Sequence, residues 1–307
     1  MKFGLFVPPS PIQGNFELLR NIVTTAEHAG FYSVGMGDHL LSFKPPHHEP
    51  VLECWTTFAA LFRESRTLTL GPHVSCVSYR HPSLVAKMGA TLDVLSGGRL
   101  ELGMGAGWFK EEYDAFGIPF PEPAIRVQQL AEAVQIVKKL WTEDNANFDG
   151  KFYSIHNASI EPKPVQKPHP TLLVGTTKCG NPMLRIIARS ADAWNIGNLP
   201  TPVQFKGKVD TLRRFCKDID RDPAEIENSP DIFICVDVDR KRLREKTKGL
   251  SQNQLENGII GTPQECVSKI KEFVDAGANY FRVYLKDVTD LQSLKLIGEE
   301  IIPEFRG

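Results

Sequence analysis

The sequence is short of the features that mark a secreted, membrane-bound or nucleic-acid-binding chain. Its six cysteines, Cys54, Cys76, Cys179, Cys216, Cys235 and Cys266, are scattered and form no C-x-x-C pair. That spacing argues for reduced thiols and a cytoplasmic setting, and against a structural zinc. No apolar run approaches the ~20 residues needed to span a bilayer. The opening stretch MKFGLFVPP has one lysine, a short apolar run and two prolines, and reads as a first strand rather than a signal peptide. Charge of one sign is also missing: 36 basic residues stand against 37 acidic ones, a formal net charge of −1. Such a balance gives no long-range pull toward nucleic acid or an anionic membrane, and leaves a small molecule as the expected partner. No segment is Ser/Gly-rich enough to be a linker, and no period of 20–50 residues suggests a solenoid.

What remains is a chain of 307 residues, 41% hydrophobic, enough for one large core or two modest domains. Short β-branched or aromatic runs alternate with helical patterns. KFGLFV precedes Phe16–Ala29, FYSVGM precedes Leu52–Phe62, and LTLGPHVSC precedes Ser83–Leu95. RLELGMGAG precedes a helix near Ile125–Trp141, TLLVGT precedes Met183–Ser190, and AWNIG precedes Val203–Lys217. IFICVDV leads to a charged helical stretch, and YFRVYL to a last helix around Leu291–Ile301. Strand periods alternating with helical periods predict βα units and a parallel sheet. Eight such units in one chain fit a single α/β domain over residues 1–307, a (β/α)₈ TIM barrel. One long excursion lies between strands four and five. Asp149-Gly150 signals a hairpin, and four prolines follow, so we expect a hairpin and an extended arm outside the barrel. In GTPQE, Thr262 as N-cap, Pro263 and Glu265 form a capping box that marks a helix start.

In such a barrel the C-terminal ends of the strands carry the chemistry. The pair Asp38-His39 lies where strand two gives out. A histidine there either faces the mouth, with the neighbouring carboxylate orienting it and tuning its protonation, or only caps and packs; position alone leaves both open. In GMGAGW, Gly103, Gly105 and Gly107 allow a flat ligand to approach the backbone, though glycines also fill tight barrel corners. No Rossmann unit with a following acid surrounds them. In VGTTKCGNPMLRIIA a strand ends at Gly175, a polar loop follows, and Asn181 is expected to N-cap a helix with Pro182 at N1. Free N–H groups at a helix N-terminus make an anion site, with Thr176, Thr177 and Gly180 placed to hold a phosphate. His47-His48-Glu49 fits no regular metal-ligand spacing, and no metal is expected; a lid over the mouth is the better reading. The basic run Arg240–Lys248 puts Arg240, Arg244 and Lys248 on one helical face, which reads first as a solvated face.

The motifs also carry a resemblance. Gly37-Asp38-His39-Leu40, LGPHVSCVSYRHPSLVAK (Leu70–Lys87) and LDVLSGGRLELGMGAGW (Leu92–Trp108) stand in order with AFGIPF (Ala115–Phe120), GKFYSI (Gly150–Ile155) and ADAWN (Ala191–Asn195). In order and spacing these resemble the bacterial-luciferase-like superfamily of flavin and deazaflavin oxidoreductases, and within it the branch that uses coenzyme F420. The resemblance implies an oxidoreductase moving a hydride between F420 and an organic substrate. His39 is then the proton-handling catalytic residue, with Asp38 beside it near the ring. It implies a cis peptide between His73 and Val74, in a bulge that supports the ring, with Gly105, Ala106 and Gly107 close to it. It places the cofactor phosphate at Gly175, Thr176, Thr177, Gly180 and Asn181. Trp108 and Phe43 are read as walls of the substrate pocket. A homodimer through the helices of Leu52–Phe62 and Ser83–Leu95 is implied as well. Two departures matter. Relatives that oxidise a sugar phosphate carry a glutamate where this chain has Trp108, which disfavours glucose 6-phosphate. True luciferases use an arginine where this chain has Ala106, which weakens the case for tight flavin mononucleotide binding. The alternatives are a two-component monooxygenase using reduced FMN and oxygen, and a cofactor-binding protein without catalysis.

Overall fold

The computed structural model describes residues 1–43 and 45–306, the Pro11 side chain aside. Twelve strands run in chain order: β1 (Lys2–Val7), β2 (Ser33–Met36), β3 (Thr69–Pro72), β4 (Ser75–Cys76), β5 (Glu101–Gly105), β6 (Ala146–Asp149), β7 (Ser154–Ala158), β8 (Thr171–Thr176), β9 (Ala193–Ile196), β10 (Glu227–Val236), β11 (Ile259–Gly261) and β12 (Tyr280–Leu285). The large sheet is parallel in the order β3-β2-β1-β12-β10-β9-β8-β5-β4, and a bridge between Leu70 and Leu100 closes it. It is the expected (β/α)₈ barrel. Two features depart from eight simple strands. The third is broken into β3 and β4 by a bulge at His73-Val74. The three-residue β11, too short to show a period, pairs with β10 through Ile234 and Ile259. Among the described residues no helix is long and apolar enough to cross a membrane.

The period of two along each strand divides the barrel into two cores. On β1, Phe3, Leu5 and Val7 are buried in the shell between strands and helices, and register pairs Leu5 with Val34 of β2 and Val283 of β12. Helix Phe16–His28 meets that shell with Leu19, Ile22, Val23 and Ala26, the i, i+3, i+4, i+7 stripe. The alternate positions face the barrel axis, and there large polar side chains oppose glycines. Arg282 and Tyr280 of β12 reach Ser33 of β2, Arg282 also pairs with Glu101 of β5, and a Cβ on Gly4 would strike both Ser33 and Arg282. Farther up, Asn195 Nδ2 donates to Asp231 Oδ1 at 2.8 Å, and Tyr284 also bonds to that carboxyl.

The excursion between β5 and β8 has the expected form. Gly150 N–H bonds the Tyr153 carbonyl at 2.9 Å to close the β6-β7 hairpin. Glu132 of helix Pro123–Thr142 accepts from the N–H groups of Lys151, Phe152 and Tyr153. The proline arm is tied to helix Pro82–Ser96 by Gln166 N–H and the buried Asp93 carboxylate, 2.9 Å apart. The Thr262 capping box forms as read. The last helix is α-helical only over Leu291–Leu296, then widens into a π turn over Ile297–Ile301. The outer face of Pro82–Ser96, where a dimer contact is expected, carries Leu84 and Leu95 to solvent.

Charged helix Arg240–Thr247 is more than a solvated face. Its Leu243 is buried with Phe233 and Cys235, against which Leu199, Leu250 and Ile260 pack. Lys246 pairs with Asp237 and Asp290, Arg242 with Asp237, and Arg240 with Glu265. The helix therefore covers the β10 side of the barrel, and the β2-β5 side is where the site residues gather.

Burial pushes the Asp231 carboxyl up to about 7, against the opposing pull of its bonds to Asn195 and Tyr284 and the Arg282 charge. A carboxyl whose folded value exceeds its unfolded ~3.9 binds its proton more tightly in the native state, so stability falls as pH rises from about 4 to about 7. Asp231→Asn should flatten that fall, gaining about 1–3 kcal/mol at pH 8 and little at pH 4. Urea unfolding at both pH values checks it; an unchanged slope in the variant places the proton on another group.

Candidate active site

Strand β2 ends at Met36, and Asp38 and His39 follow at the C-terminal mouth, where the sequence placed them. Their side chains part. Asp38 is buried, and its Oδ2 accepts from Ser75 Oγ at 2.9 Å, Cys76 N–H at 3.1 Å and Arg80 Nη1 at 2.7 Å. Arg80 is held from its other end by Glu53 at 2.6 Å. Asp38 therefore clamps the end of β2 to β4, the strand just past the bulge. It does not orient His39 as expected.

That task falls to Glu112, on helix Lys110–Phe116. His39 Nδ1 lies 3.0 Å from Glu112 Oε2, while Oε1 accepts from the N–H groups of Leu40 at 2.6 Å and Leu41 at 2.9 Å. Tyr79 donates its hydroxyl to Oε2 as well. Burial pushes the Glu112 carboxyl up, but the bonds from His39, Tyr79 and Leu41 outweigh it and hold it below the usual carboxylate range. A carboxylate accepts only, so in the neutral imidazole the proton sits on Nδ1 and Nε2 keeps its lone pair. Burying such a charge without partners costs about 3–5 kcal/mol, and these four donors offset it.

The bulge holds His73 and Val74, joined by the expected cis peptide. His73 N–H bonds the Met36 carbonyl at 2.7 Å, tying the bulge to β2. Burial, aided by the nearby Arg282 charge and opposed by the Asn195 amide, holds the His73 imidazole well below its usual value, so it is neutral. Val74 is half-buried and lies inside the barrel. Added Cβ atoms on Gly103, Gly105 and Gly175 would each come within 2.8 Å of its methyl groups. The room these glycines create is thus filled by Val74, not left for a ligand. Gly107 has a positive φ of 76°, and a Cβ there would meet Tyr113 and Cys76. Ala106, between them, packs partly buried against the core.

On the β8 side, Gly180 and not Asn181 is the N-cap of helix Asn181–Ser190, so the helix starts one position earlier than read. No side chain caps this end, and no acid lies in its first turn. Thr176 Oγ1 accepts from Cys179 N–H at 3.0 Å, and Thr177, Gly180 and Asn181 are exposed. Uncapped N–H groups at a helix start favour an anion.

Aromatic rings complete the mouth. Phe43 lies 4.5 Å from the His39 ring and Trp108 5.9 Å, centroid to centroid, with Phe109 behind both. His47 Nδ1 meets the Ser42 carbonyl at 2.7 Å, and its ring packs on Phe109. Sequence reasoning missed Glu112, Tyr79, Arg80 and Phe109. The one available signal was Glu112 directly before Tyr113 on the apolar side of a short helix, and that does not name its partner.

The family model of luciferase-like monooxygenases matches residues 1–258. The chain belongs to that family. Among curated relatives, an F420-dependent glucose-6-phosphate dehydrogenase of Intrasporangium calvum is 27% identical, with 92% of each chain covered. An FMNH(2)-dependent dimethylsulfone monooxygenase of Pseudomonas putida is 35% identical over 43% of this chain and 36% of its own. Among solved structures, the coenzyme F420 dependent tetrahydromethanopterin reductase of Methanopyrus kandleri has the same fold, with a TM-score of 0.83, 20% identity and 99% of both chains covered.

The two carboxylates predict opposite outcomes. Glu112→Gln should let His39 populate both neutral tautomers, because an amide can accept or donate. Asp38→Asn should leave the tautomer as it is. Nitrogen-15 NMR of His39 reads the ratio directly; a tautomer change in the Asp38 variant alone would return the orienting role to Asp38.

Proposed function

We propose that this protein is an oxidoreductase that uses coenzyme F420 to move a hydride to or from a small organic substrate. The observation that carries the reading is His39: it stands at the mouth with Nδ1 bound to a buried carboxylate and Nε2 left to handle a substrate proton. Full-length similarity to an F420-dependent dehydrogenase supports the choice of cofactor.

The residues present fit such a cofactor. Two buried polar atoms beside the bulge, Asp38 Oδ1 and His73 Nδ1, have no hydrogen-bond partner in the chain, and buried polar groups are rarely left so. They offer a polar edge to a planar heterocycle, and the half-buried Val74 offers it an apolar floor. Gly105 brings backbone close to the same floor. The uncapped start of Asn181–Ser190, with Thr176, Thr177 and Gly180, suits the phosphate. When bound, the deazaflavin supplies hydride chemistry at its C5.

The chain supplies the rest. In alcohol oxidation Nε2 of His39 takes the hydroxyl proton as hydride leaves, and in reduction it returns one. Glu112 stabilises the imidazolium that forms in the first case. Arg80, Asp38 and Ser75 keep β4 and the bulge in place. A second reading, a monooxygenase working with reduced FMN and oxygen, is supported by the 35% identity with the dimethylsulfone enzyme.

Fluorescence titration with F420 and with FMN, followed by single-turnover hydride transfer over an alcohol and ketone panel, separates the two. His39→Ala should slow hydride transfer by ~10²–10⁴-fold, the usual size of a lost general acid or base, with much less change in cofactor affinity. A wild-type rate in this variant makes the His39–Glu112 pair structural. Thr177→Glu should weaken F420 binding by at least ~1 kcal/mol through repulsion of its phosphate. An unchanged titration curve moves the phosphate to another loop.

A further inference from the structure

The anion-favouring start of helix Asn181–Ser190 leads into a groove. It lies on the outside of the barrel, between this helix and helix Pro123–Thr142, and holds about 250 Å³. Pro182, in the first turn, opens it at the rim of the mouth. The floor is apolar: Ile186 is buried, and Val127 and Ala131 pack partly buried against the core. Gln128 and Gln135 line it from one helix, Arg185 and Arg189 from the other.

The two arginines give the groove its charge. Both are exposed, and among the described residues neither has a carboxylate partner. Arg185 lies over the Phe215 ring, 4.1 Å from guanidinium carbon to centroid. A stacked guanidinium keeps its N–H groups for an anion. Spaced four apart, the arginines share one helix face. At 1.5 Å of rise per residue they stand about 6 Å and about 12 Å along the axis from Asn181. The acid nearest on the opposite helix, Glu132, is engaged by the N–H groups of Lys151, Phe152 and Tyr153. At the far end, Lys138 bonds the Ser190 carbonyl and Asp192. The other basic helix differs: its Arg240, Arg242 and Lys246 are bonded to Glu265, Asp237 and Asp290.

Coenzyme F420 carries an acidic oligoglutamate tail beyond its phosphate. Resting on the F420 reading, we propose that this groove is the site of that tail. The phosphate takes the uncapped helix start, the tail carboxylates pair with Arg185 and then Arg189, and the apolar floor takes the methylene groups between them. The groove recognises the length and charge of the tail and has no part in hydride transfer.

The test titrates the protein, by F420 fluorescence and by calorimetry, with F420 lacking glutamates and with F420 bearing several, at low and at high ionic strength. We expect the tailed form to bind more tightly at low salt, and its advantage to shrink as salt screens the charges. Arg185→Gln and Arg189→Gln should each remove about two- to five-fold of that advantage, the size of an exposed ion pair. Both should leave binding of the tailless form unchanged, and Arg240→Gln should change neither. Equal affinity of the two forms for the wild-type protein overturns the proposal. So does an advantage that survives in the double variant, or one that is lost in Arg240→Gln instead. An equal loss for both forms makes the arginines part of the phosphate site or of the fold, and overturns it as well. The two readings are told apart by the tailless form. If it binds and the tail adds nothing, this proposal falls and the cofactor assignment stands. If neither form binds, the cofactor assignment falls and takes this one with it.

Discussion

An eight-stranded barrel encloses a space that its own side chains must fill, and the way this chain fills it governs the rest of the molecule. One group of strands points large side chains at the axis: Tyr280, Arg282 and Tyr284 from β12, Asp231 from β10. Facing them, Gly4, Gly35 and Gly71 have no room for even a Cβ, which would fall within 2.6 Å of a neighbouring atom. The axis is polar at its base, where Arg282 and Glu101 pair out of reach of water. Higher up, His73 and Val74 are folded in by the bulge, and three glycines of β5 and β8 make room for Val74. The floor of the mouth is therefore a consequence of core packing.

Two carboxylates within 75 residues of each other in sequence do unlike work on that floor. Asp38 is a clamp: its oxygen ties β2 to the strand beyond the bulge and to Arg80. Glu112 is a hub that gathers a histidine, a tyrosine and two backbone N–H groups. Each donor alone is worth about 1–3 kcal/mol to a charged acceptor, so the loop from His39 to Leu41 and the helix that carries Glu112 hold one another. The proton-handling role proposed for His39 needs this kind of fixed tautomer, and the loop geometry and the Nδ1 contact come from the same carboxylate.

The mouth is asymmetric for a related reason. On the β10 side, Leu243 seals Phe233 and Cys235 beneath a helix whose cations are spent on Asp237, Asp290 and Glu265. On the β2–β5 side the covering is aromatic and open. The cationic helix is held by its own chain's acids, whereas the rings around His39 pack on one another and stay partly exposed.

Much of this architecture was legible in the order of the residues. Alternating periods of two and 3.6 carried the barrel, Asp149-Gly150 the hairpin, Thr262 to Glu265 a helix start, and the position of Asp38-His39 the end at which chemistry belongs. Those signals are local: each depends on residues within a few turns, which interact whatever the rest of the chain does. Three things were decided only in three dimensions. The partner of His39 is 73 residues away, and adjacency in sequence suggested Asp38, whose side chain turns toward β4. Gly103 and Gly105 of GMGAGW are needed by Val74 of the neighbouring bulge, a contact set by register across the sheet. The third strand breaks at His73-Val74, and a three-residue ninth strand forms by pairing with β10, a partner far from it in sequence. Residue order alone determined the main strands and helices and the end of the barrel at which Asp38-His39 stands. The tertiary structure alone decided which buried charge meets which donor, because that depends on side chains brought together across strands and not on any spacing along the chain.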